Sequence, residues 1–180
     1  INNKGIIFLL FHSVFKNQKE LESNHVDSQW GFTINEYKYI FEKFLHNGYE
    51  FISHKQLLDF NQLEENKKYI YLHFDDGYYN NHNILSLLEE YKIYAHFYII
   101  TDNVIKNKKF WWDFLFNKSA LFTTTNNLNN ERIYLQNKNN DFITSYISKK
   151  YGADSLKPLS DIDRPFSPKE LKTFSANKYV

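Results

Sequence analysis

At 180 residues the chain has the length of a single domain able to enclose a real core, and it is read as one domain over residues 1–180. Its 22 Lys and Arg against 21 Asp and Glu leave a formal net charge of +1, which argues against nucleic acid as the default partner. There is no cysteine, so disulfides and thiolate metal sites are excluded, and any metal must be held by His, Asp or Glu.

In chain order, Ile6 to His12 is a continuous apolar run of strand length and predicts a central parallel strand buried on both faces. The run is too short for a membrane span and lacks the small-residue cleavage site of a signal peptide, so no integral membrane segment is expected. Lys16 to Gly31 is polar and irregular, a loop carrying His25 and Trp30. Thr33 and Glu36 have capping-box spacing, and Tyr37, Ile40, Phe41, Phe44 and Leu45 follow at helical spacing until Gly48. Tyr49 to Ile52 predicts a short strand, and Ser53 with Gln56 opens a second helix.

Tyr69 to Phe74 is a buried strand by composition, and it runs into Asp75, Asp76 and Gly77. Ligands and chemistry gather at the carboxyl ends of parallel strands, where this pair of acids falls. Two readings of the pair are open from the residues alone. Asp-Asp-Gly can be a turn that ends a strand. Alternatively, two crowded carboxylates can settle their repulsion by giving one to a divalent cation and leaving the other to take a proton. Gly77 lets the chain turn there without a blocking side chain.

Tyr79 to Tyr91 then predicts a helix with Ile84, Leu87, Leu88 and Tyr91 on one face, and Tyr94 to Ile100 a strand. Strand, helix, strand over this length means a right-handed parallel crossover. Phe110 to Phe122 is aromatic and helical, Thr123 to Asn130 a polar break, and Glu131 to Gln136 a short strand or hairpin arm. Phe142 to Tyr151 predicts a helix ended by Gly152, and Ser167, Pro168 and Glu170 start another. Tyr179 and Val180 read as the opening of a further strand.

Three of these stretches carry a resemblance to a known family. Phe74-Asp75-Asp76-Gly77-Tyr78, the helix after it, and Ala95-His96-Phe97-Tyr98-Ile99 resemble the first signature of the polysaccharide deacetylase family, carbohydrate esterase family four. Leu10-Phe11-His12-Ser13-Val14, Phe32 to Phe51, Phe110-Trp111-Trp112-Asp113 and Phe166 to Leu171 resemble its bacterial exopolysaccharide and cell-envelope members. The resemblance implies a distorted (β/α) barrel with parallel strands, here incomplete. It also implies a hydrolase removing acetyl groups from an acetylated amino-sugar polysaccharide or oligosaccharide. By position Asp75 would be the general base and Asp76 a ligand of a divalent metal, usually zinc. His12, at the end of the first strand, and His73, on the same strand face as Asp75, are candidates to line the site together with Gly77 and Tyr78; for both histidines a purely structural, packed role is the open alternative. A cell-envelope or secreted location follows by the same likeness, although a cytoplasmic one stays open.

Departures from the family pattern matter as well. His73 and His96 stand where the family has Thr, and none of the seven histidines forms the His-x-x-x-His pair that supplies the other two metal ligands. The family carries that pair on the strand after the Pro-capped helix, so the expectation is a chain truncated before it. Such a span alone should bind zinc poorly and show weak or no activity. A catalytically silent carbohydrate-binding relative is the alternative, and a magnesium-dependent phosphoryl-transfer fold is disfavoured by the spacing of the acids.

Overall fold

The computed structural model describes residues 5–27, 31–121 and 125–180, and Trp30 lies outside them. The strands are β1 (Ile6–Phe11), β2 (Ser13–Phe15), β3 (Gly31–Thr33), β4 (Tyr49–Phe51), β5 (Lys68–Phe74) and β6 (Ala95–Phe97). The helices are α1 (Gln18–Leu21), α2 (Ile34–His46), α3 (His54–Leu58), α4 (Leu85–Tyr91), α5 (Thr101–Lys106), α6 (Trp111–Leu121), α7 (Thr125–Gln136), α8 (Asn140–Tyr151) and α9 (Pro168–Phe174). Turns of 3-10 helix cover Phe60–Gln62 and Tyr79–Ile84.

β5 is the axis of the main sheet. β1 pairs with it in parallel along its length, from Ile6 opposite Tyr69 to Phe11 opposite Phe74. The other edge of β5 is shared: β4 takes Lys68 to Ile70, and β6 takes Leu72 to Phe74, both in parallel. All described pairings in this sheet are parallel and the sheet is open, which agrees with the incomplete barrel expected from the sequence. β2 and β3 form a separate two-stranded parallel sheet.

The residues of β5 alternate between two environments, as the pleat requires. Leu72 and Phe74 enter the largest core with Val14, Tyr37, Phe41, Ile84, Leu87 and Leu88, which come from β2, α2 and the segment after Gly77. Tyr69 and Tyr71 face the other way and pack with Ile52. Helix starts follow the sequence: Thr33 with Glu36, Ser53 with Gln56, and Ser167 with Glu170 all form complete capping boxes. A second core of Phe114, Leu115, Leu135, Ile143 and Ile147 joins α6, α7 and α8.

Several expectations need correction. β1 is not buried on both faces: it pairs only with β5 among the described strands, and Phe8 and Leu10 are 57% and 43% exposed. Glu131 to Gln136 is helical, within α7, and the helix begins at Thr125 inside the stretch read as a polar break. There Glu131 and Leu135, four residues apart, turn inward while Ile133 and Tyr134 stay exposed, a helical pattern hidden by the local apolar run. The strand read over Tyr94 to Ile100 is shorter, Ala95–Phe97, and Thr101 onwards is helix. Tyr179 is not in a strand, although its carbonyl accepts a hydrogen bond from the Ala95 N–H of β6 at 2.9 Å.

Candidate active site

The turn after β5 is fixed from both sides. Asp75 N–H donates to the Phe11 carbonyl at 2.9 Å and continues the β1 ladder by one bond. Ile100 N–H donates to the Asp76 carbonyl at 3.1 Å, and Phe166 N–H donates to the Gly77 carbonyl at 3.3 Å. Asp76 takes a left-handed backbone conformation, φ 75°, followed by Gly77 at φ 81°. For a residue with a Cβ this conformation is costly, and such residues concentrate at functional turns. Gly77 is required by space as well as by angle, since a Cβ there would stand 2.8 Å from Ile99 Cδ1.

The turn separates the two acids. Asp75 stays on the His73 side of β5, one-third exposed, with its Oδ1 3.3 Å from His73 Nδ1. Asp76 turns into a cleft of about 380 Å³ lined by His12, Ser13, Tyr78, Trp112, Asp113 and Arg132, among others. Burial, with the Asp75 charge adding to it, pushes the Asp76 carboxyl up to about 7. Across the cleft mouth, His12 Nε2 lies 3.9 Å from Asp76 Oδ2. Burial holds the His12 imidazole below its ordinary pKa, against the opposing pull of Asp75.

Asparagines of the 3-10 turn set the position of His12. Asn81 Nδ2 donates to the His12 carbonyl at 2.6 Å, and Asn83 Nδ2 to the Val14 carbonyl at 2.9 Å. Val14 N–H in turn donates to Asn80 Oδ1 at 3.3 Å. The residues just after the aspartates thus tie the end of β1 to the same turn. Sequence reading took this stretch only as the start of a helix.

Behind Asp76 lies a buried polar chain. Trp112 Nε1–H donates to the Tyr78 oxygen at 2.9 Å, and the Tyr78 hydroxyl donates to Asp113 Oδ2 at 2.6 Å. Asp27 N–H donates to Asp113 Oδ1 at 3.1 Å, and Arg132 Nη1 lies 3.8 Å from Asp27 Oδ2. Burial raises Asp113 to about 7; its hydrogen bonds from Tyr78 and Asp27 work against that, and the negative Asp76 adds to it. Of the residues predicted from sequence, Asp76, His12 and Tyr78 therefore share one cleft, Gly77 shapes its turn, and Asp75 with His73 stands on the adjoining sheet face. Asp27 and Arg132 were missed, because each reaches the cleft from a distant segment.

The donor set suits a divalent cation in part. Asp76 offers an enclosed carboxylate, but among the described residues no three His, Asp or Glu side chains converge as a metal centre would need.

Residues 62–146 match the model of the polysaccharide deacetylase family. The matched stretch includes β5, both aspartates and β6. Among solved structures the chain is similar to a de-N-acetylase from Aggregatibacter actinomycetemcomitans, with 27% identity and a TM-score of 0.48, over 55% of this chain and 38% of that one. It is also similar to IcaB from Ammonifex degensii, with 16% identity and a TM-score of 0.49, over 66% of this chain and 50% of that one. A third is the Streptococcus pyogenes deacetylase PplD in complex with acetate, with 16% identity and a TM-score of 0.46, over 97% of this chain and 80% of that one. The chain thus spans half or less of the first two. No curated protein matches it.

Proposed function

We propose that this chain is part of a metal-dependent hydrolase that removes N-acetyl groups from an acetylated amino-sugar polysaccharide or oligosaccharide. Asp75 is the proton acceptor and Asp76 a metal ligand, with zinc the metal by family likeness. The observation that carries this reading is the turn itself: a non-glycine residue held at φ 75° sends one acid into the cleft, 17% exposed, and leaves its neighbour 33% exposed. Two equivalent carboxylates become two chemically different ones. That division is what a hydrolytic site needs.

When bound, the cation supplies activation of water and stabilisation of the charge that develops on the carbonyl oxygen. Asp76 is the ligand these residues offer, and the other ligands would come from outside the described residues. Asp75 takes the proton from the attacking water, and the products are acetate and the free amine of the sugar. Tyr78 and Trp112 form a wall of the cleft fixed by their own hydrogen bond, and the Trp112 ring suits stacking on a sugar face.

The test is acetate release from N-acetylglucosamine oligomers by the complete gene product in the presence of zinc, with phosphate release from phosphate esters measured in parallel. The expected result is acetate from the oligomers and no phosphate. Tight binding of the oligomers without acetate release would replace the enzyme by a carbohydrate-binding relative, and phosphate release would overturn both.

A further inference from the structure

His73 occupies the place where the resembled family carries Thr, and its surroundings assign it more than packing. It lies on the same side of β5 as Asp75, two residues earlier, and its Nδ1 is 3.3 Å from Asp75 Oδ1. A carboxylate beyond the end of a strand has several rotamers open to it, and a proton acceptor is effective only in those that face the reacting atom. A fixed donor on one oxygen selects among them.

The ring of His73 is itself held. Tyr98 meets it edge to face, at a centroid distance of 5.6 Å and an angle of 90°. Tyr71 lies against it at 5.7 Å. These rings are braced in turn, since Tyr71 Oη is 3.0 Å from His54 Nδ1 and His54 stacks on His96 at 4.5 Å. His96 closes the cluster edge-on to Tyr98 at 4.6 Å. Register places His73 between Leu10 of β1 and His96 of β6, so a neighbouring strand flanks it on each side. His73 therefore presents Nδ1 at a fixed point, and Asp75 is its hydrogen-bond partner there.

We propose that His73 is a positioning residue for Asp75: its Nδ1–H donates to Oδ1 and turns Oδ2 toward the water that attacks the acetyl carbon. The proposal rests on the role given above to Asp75 and deepens it.

Two measurements on the complete, zinc-loaded gene product test it. Nitrogen-15 NMR of the wild-type histidines is expected to show the His73 proton on Nδ1. A ring protonated on Nε2 alone, with Nδ1 bare, would overturn the proposal whether or not the protein hydrolyses anything. In acetate release, His73→Leu should lower kcat about tenfold with KM within about twofold, and His73→Asn, whose amide nitrogen stands near Nδ1, should recover kcat to within about threefold of wild type. Wild-type kcat in His73→Leu, or an equal loss in both variants, would contradict it. A wild-type protein that releases no acetate sinks the deacetylase reading instead, and the NMR result still decides the hydrogen bond.

Discussion

The Tyr78 hydroxyl and Asp113 Oδ2 are joined by a 2.6 Å hydrogen bond between side chains that are both almost wholly enclosed. That bond ties the turn after β5 to the start of α6, beside Asp76. Tyr78→Phe would deprive Asp113 of a donor and leave Trp112 Nε1–H without its acceptor, at a cost of about 1–3 kcal/mol. Urea unfolding at pH 8 should show an earlier midpoint with an unchanged slope.

Asp113 also makes stability depend on pH. Its folded carboxyl titrates at about 7, against about 4 for an unfolded Asp. Between those values the folded chain holds a proton that the unfolded chain has released, so stability falls as pH rises through the window and levels above it. One such group contributes a slope of up to about 1.4 kcal/mol per pH unit. Thermal melts from pH 4.5 to 8, with chelator present, should fall more steeply for wild type than for Asp113→Asn. Parallel curves would show that burial does not act on this carboxyl as described.

Gly77 meets two demands, a backbone at φ 81° and space where a Cβ would stand only 2.8 Å from Ile99 Cδ1. Gly77→Ala should destabilise by about 1–3 kcal/mol. Adding Ile99→Val removes the Cδ1 contact but leaves Cγ2 at 3.1 Å and the backbone angle, so the double variant should recover only part of the loss in urea unfolding.

Local chemistry made much of the fold legible in the sequence. The three capping boxes, at Thr33, Ser53 and Ser167, depend on residues three apart and were read correctly. The run Tyr69 to Phe74 into two acids and a glycine located the central strand and its turn for the same reason. What escaped depends on long-range placement. The Asp27 N–H bond to Asp113 spans 86 residues, and Arg132 reaches the cleft from a helix that had been read as a strand. The exposure of Phe8 and Leu10 was missed because a strand paired along one side, as β1 is among the described strands, and a strand paired along both can share one apolar pattern. The left-handed turn at Asp76 was equally invisible, since any Asp-Asp-Gly stretch permits several turn geometries.

The division of labour between the adjacent acids is tested most directly by measuring zinc content and acetate release together in Asp75→Asn and Asp76→Asn variants of the complete gene product. Asp75→Asn should keep wild-type zinc while kcat falls about a hundredfold or more, and Asp76→Asn should lose zinc. An Asp75→Asn protein that turns over at the wild-type rate, or an Asp76→Asn protein that holds zinc as tightly as before, would contradict the assignment.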